Sequence, residues 1–143
     1  MVGALGANVG SSVSASLSDD GRFFAFGTFG DPTTGQSRTH GVYLFDRQEM
    51  KLSRVSATEE RDLDSYGAYL SGDGRFIAFS ARMQPRVLDR VSGSITRLPI
   101  PVGIAFVSDL SRDGRFIAIT TNSAGLPGAS GSIINLYVGA TGR

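Results

Sequence analysis

Three aspartates, three arginines and one histidine are the side chains whose types and spacing invite a chemical reading. Asp20, Asp73 and Asp113 each stand before Gly-Arg, so Arg22, Arg75 and Arg115 recur two positions later. A repeated guanidinium can line a channel mouth and take an anionic ligand or peptide. It can equally bond turn carbonyls or a carboxylate of its own or a neighbouring unit. A residue repeated in every unit is first a packing residue, so a structural role is expected for the arginines and a turn role for the aspartates. His40 is the only histidine. A triad base needs a nucleophile and an orienting acid, and a metal site usually needs further His or Cys ligands. The chain has no cysteine, no Gly-x-Ser-x-Gly and no His-Glu-x-x-His. Disulfides, thiol nucleophiles and Cys-based zinc sites are therefore excluded, and neither catalysis by His40 nor any cofactor is expected.

Charge and composition narrow the partners. The formal net charge of +1 makes no electrostatic case for nucleic acid or an anionic membrane. No apolar run is long enough to insert in a bilayer. The densest acidic stretch, Thr58-Glu59-Glu60-Arg61-Asp62-Leu63-Asp64, reads as a solvated connection, although it could attract a basic partner or a cation. The opening MVGALGANVGSS lacks a basic n-region and is broken by glycine, so it does not read as a signal peptide.

The elements that must position these residues are strands. Nineteen glycines among short Val/Ile/Phe/Tyr runs, with no sustained helical stripe, predict an all-β chain of 143 residues in one domain. DDGRFFAF (19–26) returns as GDGRFIAF (72–79) and RDGRFIAI (112–119). Aligned on Asp-Gly-Arg, Leu17, Leu70 and Leu110 fall together, as do Ser18, Ser71 and Ser111. A period of roughly 40–50 residues in β-rich sequence is propeller-like. Each copy reads as strand, Ser-x-Asp-Gly turn, strand. Phe23-Phe24-Ala25-Phe26 is apolar at successive positions, as a strand buried on both faces must be. A second hairpin follows: GVYLFDR (41–47) with KLSRVS (51–56), then RVLDR (86–90) with SITRLP (94–99). In the third copy IINLYV (133–138) supplies one strand, and Gly139-Ala140-Thr141-Gly142 begins a turn.

Leu-Ser-x-Asp-Gly-Arg-Phe-Ile-Ala-Phe resembles the WD40-like PD40 repeat of TolB-type β-propellers. Val-Tyr-Leu-Phe-Asp-Arg (42–47) and Arg-Val-Ser (54–56) are similar to that family's outer strands. Family members usually carry Pro before Asp-Gly, where this chain has Asp19, Gly72 and Arg112. The resemblance implies four-stranded blades and, in many members, a periplasmic or extracellular binding scaffold. Other members gate prolyl-oligopeptidase-like enzymes, so a fragment of such a hydrolase propeller is the alternative, and a sugar-binding propeller is another. Some relatives hold calcium in acidic, glycine-rich loops. The equivalent loops here, 27–39 and 121–132, offer only Asp31, which speaks against calcium.

These units divide the chain into an outer strand within 1–12, blades at 13–56 and 66–99, and a third at 103–143 lacking its outer strand. Val2–Leu5 aligns with an outer strand, so Val2 and Leu5 of one copy are expected to complete the other copy's last blade, beside its Leu136 and Val138, by strand exchange at the ends. Three blades cannot close a ring, since propellers typically have 4–8. The expectation is a non-enzymatic scaffold whose two copies form a six-bladed homodimer. It would bind a protein or small ligand through rim loops and a central channel. Arg22, Arg75, Arg115, Tyr66 and Tyr69 are its candidate rim or channel residues, with Phe29 and Pro127 in connecting loops.

Overall fold

The computed structural model describes residues 12–34, 40–56, 65–101, 103–128 and 135–140. Among them all regular structure is strand. β1 (Ser12–Leu17), β2 (Phe23–Phe29), β3 (His40–Asp46) and β4 (Lys51–Arg54) form one antiparallel sheet in chain order. β5 (Ser65–Leu70), β6 (Phe76–Ala81), β7 (Gln84–Asp89) and β8 (Ser94–Arg97) form a second of identical topology. β9 (Ala105–Leu110), β10 (Phe116–Thr121) and β11 (Asn135–Ala140) form the third, in the order β11-β10-β9.

The three sheets pack face to face as blades. β5 lies against β1, β2 and β3, and β9 lies against β5, β6 and β7, so the first strand of each blade is the inner one. Two apolar joints result. Ala25, Val42 and Leu44 of the first blade meet Ala68, Leu70, Ile77 and Phe79 of the second. Phe76, Ala78 and Val87 of the second then meet Val107, Leu110, Ile117 and Ile119 of the third. β6 is buried at every position, and its alternate residues serve the two joints in turn. This is why its sequence is apolar without alternation. Burying each such large side chain contributes about 1.5–3 kcal/mol.

Where residues repeat, so does geometry. The inner strand pairs with its neighbour through a register shift in all three blades, at Ser12/Ser14, Tyr66/Tyr69 and Ala118/Ile119. Such bulges add twist.

The final strand departs from the expected position. It runs Asn135–Ala140, so Gly139 and Ala140 extend the ladder where the sequence predicts a turn. Their partners on β10 are Ile117 and Phe116, and ladder bonds to a buried neighbour outweigh the turn preference of glycine. β1 likewise starts at Ser12, the last residue of the stretch assigned to the closing outer strand. Val2 and Leu5 lie outside the described residues. Leu136 and Val138 lie on β11, opposite Thr120 and Ala118.

Candidate functional site

The two ends of the blades are built differently. At one end stand the Asp-Gly-Arg turns. In the first, the Ser18 hydroxyl donates to Asp20 Oδ1 at 2.6 Å, that oxygen accepts the Arg22 N–H at 2.9 Å, and Ser18 Oγ accepts the Phe23 N–H at 2.9 Å. Ser71 with Asp73 and Ser111 with Asp113 repeat the pattern. Gly21, Gly74 and Gly114 take φ of 66°, 68° and 69°, the left-handed position that the turn requires. The carboxylates thus serve their own turns. Bonds from the serine hydroxyl, and then from the arginine N–H, hold Asp20 and Asp113 below the usual aspartate range.

The repeated arginines reach outward along this rim. Arg22 grips Asp46 with Nε at 3.1 Å and Nη2 at 2.7 Å, and Arg75 grips Asp89 with Nε at 2.9 Å and Nη2 at 2.8 Å. Both aspartates sit on the third strand of their blade, on the side away from the inner strand. The Arg22 guanidinium, and then the Gln48 and Glu49 N–H groups, hold the Asp46 carboxyl down to about 2. In the third blade Ala140 stands opposite Phe116, where Asp46 and Asp89 stand opposite Phe23 and Phe76. The Arg115 guanidinium lies 5.7 Å from the Phe116 ring centre.

Closer to the inner strands, the positions that carry proline in the resembling family link the blades. The Asp19 N–H donates to the Gly72 carbonyl at 2.8 Å, and the Gly72 N–H to the Arg112 carbonyl at 2.7 Å. Proline has no N–H and could make neither bond. Above Gly72 the Asp19 carboxylate meets the Arg112 guanidinium at 2.7 Å. A Cβ at position 72 would lie 2.3 Å from Asp19 Oδ2, so the ion pair as it stands occupies the space that glycine leaves over the middle blade.

At the opposite end a row of rings crosses all three blades. Phe29, at the end of β2, meets His40, at the start of β3, with ring centres 4.1 Å apart. His40 meets Tyr66 of β5 at 5.2 Å, and Tyr66 meets Phe106 of β9 at 6.4 Å, every contact edge-on. Phe29 and Phe106 are 40% and 36% exposed. The row runs into a recess of about 150 Å³ lined by Ile104, Phe106, Thr120, Thr121 and Asn122. Connections here differ from blade to blade. β6 and β7 are joined by Arg82-Met83, both at positive φ (51° and 59°), whereas β2 and β3 are separated by residues 30–39.

The sequence candidates therefore separate. Tyr66 is central to the row. Tyr69, three residues on and beyond the bulge, packs instead into the joint between the second and third blades. There burial, and next the Asp109 carboxylate, raises its phenol. His40 touches aromatic rings on both sides. Asp31 accepts from the Thr33 N–H at 2.8 Å and lies 4.0 Å from the Arg54 guanidinium. Burial foremost, with the Asp31 carboxylate adding to it against the opposing pull of Arg54, pushes the Tyr43 phenol up to about 12. Among the described residues no group of three or more His, Cys, Asp or Glu could hold a metal ion. Pro127 lies exposed in the loop after β10. Phe106 was not singled out by sequence reasoning. The sequence carries no signal for it, since Ala105-Phe106-Val107 is apolar throughout and only the structure turns Phe106 outward between two buried neighbours.

No family model matches the chain, and no curated protein matches it. Solved structures do. TolB from Acinetobacter baumannii is 17% identical over 94% of this chain and 31% of its own, with a TM-score of 0.67. The fold is that of a TolB-like β-propeller. A putative TolB from Agrobacterium tumefaciens agrees, at 21% identity over 88% of this chain and 41% of its own and a TM-score of 0.64. The tricorn protease matches 92% of this chain with 13% of its own, at 13% identity and a TM-score of 0.60. The chain thus spans well under half the length of each of these proteins.

Proposed function

We propose that this chain is a non-catalytic propeller unit that pairs with a second copy and binds a protein or small ligand on its aromatic rim. The row Phe29–His40–Tyr66–Phe106 is the observation that carries the reading. It draws rings from three blades, runs into a recess, and sits where the connections vary. Aromatic groups on a rigid frame bind with little loss of side-chain entropy. The Asp-Gly-Arg rim supports the non-catalytic part, because its aspartates serve their own turns and Arg22 and Arg75 hold carboxylates of their own blades.

Peptide and glycan arrays probed with the wild type and with Tyr66→Ala test the reading. Signals present for the wild type and lost in the variant are expected. Equal signals from both, or silence on every array, would remove the aromatic rim as the binding surface. The similarity to the tricorn protease favours a second reading, a propeller belonging to a peptidase. A catalytic domain encoded in the same gene would decide for it.

A further inference from the structure

The two internal joints use one device, and its two halves stand apart on the outer faces of the first and third blades. At the first joint the Phe23 ring fills a notch over Gly74, where a Cβ would lie 2.5 Å from the ring. Arg90 roofs that notch. Its guanidinium lies 3.8 Å from the Phe23 ring centre, and Nη1 donates to the Gly74 carbonyl at 2.6 Å. At the second joint Phe76 fills the notch over Gly114, where a Cβ would lie 2.6 Å from its ring.

Phe116 is the third ring of this series. It is 46% exposed, against 3% for Phe76. The missing notch is on the far face of the first blade. Gly21 has the same turn geometry, with φ +66°, and among the described residues the only side-chain atom near its would-be Cβ is Arg47 Nη1 at 3.4 Å. Arg47 donates Nη1 to the Gly21 carbonyl at 2.8 Å, in the pose that Arg90 takes on Gly74. Beside this notch Leu17 is 59% exposed, while its equivalents Leu70 and Leu110 are 6% exposed within the joints. The backbone agrees with shape. The Asp19 N–H donates to the Gly72 carbonyl and the Gly72 N–H to the Arg112 carbonyl, so extending the line by one blade brings the Arg112 N–H to the Asp19 carbonyl of a following copy.

We propose that Phe116 of one copy seats on Gly21 of a second copy beneath Arg47, forming a third joint like the two inside the chain. Two such joints about a two-fold axis close a six-bladed ring. The inference rests on the homodimer reading above and adds the residues that make the contact. Its occupant is a second copy because the chain carries both the ring and the notch, each on a blade with the same turn geometry as those inside the chain.

Light scattering at micromolar concentration should give twice the chain mass for the wild type. Phe116→Arg and Arg47→Glu should each weaken association by roughly 30-fold or more, as hot-spot substitutions do. Both positions are exposed, so the strand signal in circular dichroism should be unchanged. The chain has no cysteine, so mixing Phe116→Cys chains with Arg47→Cys chains and adding a short bis-maleimide should yield a cross-linked dimer without background. This arm decides the matter should the charged variants fail to fold. A monomeric wild type overturns both the dimer and the joint. A dimeric wild type whose charged variants stay dimeric, or whose cysteine pair does not cross-link, overturns the joint and leaves the dimer standing.

Discussion

The two rims spend their side chains in opposite ways. On the Asp-Gly-Arg rim every blade repeats one network, in which serine caps aspartate and aspartate caps the arginine N–H, and in the second and third blades glycine admits the phenylalanine ring of the preceding blade. On the other rim no connection repeats, and side chains from different blades meet ring to ring. Repetition marks the end that holds blades together. Under the proposed reading, variation marks the end that meets a ligand.

The strongest test of this contrast is Gly74→Ala. The new methyl would strike the Phe23 ring from a strained backbone position, and we expect a loss of about 2–4 kcal/mol in urea unfolding. Gly93→Ala separates the two causes. Gly93 has a similar φ of +72° but nothing within 4 Å, so only the backbone penalty of about 1 kcal/mol is expected. Equal losses at the two positions would mean that the notch contributes nothing.

Acid should probe the same rim. Asp46 lies below the ordinary value of 3.8, at about 2, because its charged form is held by Arg22 and two N–H groups. A depressed carboxylate contributes stability that is present above the unfolded value and lost as pH falls through the folded one. The stability difference between wild type and Asp46→Ala should therefore be constant at neutral pH and shrink from about pH 4 down to about pH 2. Urea midpoints across that range measure it, and a pH-independent difference would contradict the assignment.

Smaller effects are expected elsewhere. Met50, at φ 52°, occupies in the β3–β4 turn the place that Gly93 holds in the β7–β8 turn. Met50→Gly should raise stability by up to about 1 kcal/mol in urea unfolding, because glycine adopts that conformation without strain. Least affected should be Phe106→Ala on the aromatic rim, which should change stability by no more than about 1 kcal/mol while altering whatever binding the arrays reveal. A loss as large as that of Gly74→Ala would make the aromatic row another packing device and erase the contrast.

Much of this was legible before the structure. Asp20, Asp73 and Asp113 announce their turns because a Ser-x-Asp-Gly turn is settled within a few residues. Phe76-Ile77-Ala78-Phe79 announces a strand covered on both faces because period alone carries that message. The arginine partners were harder. Asp46 lies 24 residues from Arg22 and Asp89 lies 14 from Arg75, so only the β2–β3 and β6–β7 registers bring each pair together. The strand at 135–140 was misplaced by its own glycine, because local turn preference is weaker than the ladder bonds that pair Gly139 with the buried Ile117.

The sequence by itself determined the class of fold, the repeat and the turn chemistry, because each depends on neighbours along the chain. Tertiary structure alone decided which rings meet and which face outward. Phe29 and His40 meet as a ladder pair within one blade, but His40, Tyr66 and Phe106 come from three blades and touch only because the blades pack face to face. Phe23 and Phe116 have equivalent places in the repeat. The first is covered by Gly74 and Arg90 and the second is half exposed, because what covers a blade face belongs to the next blade.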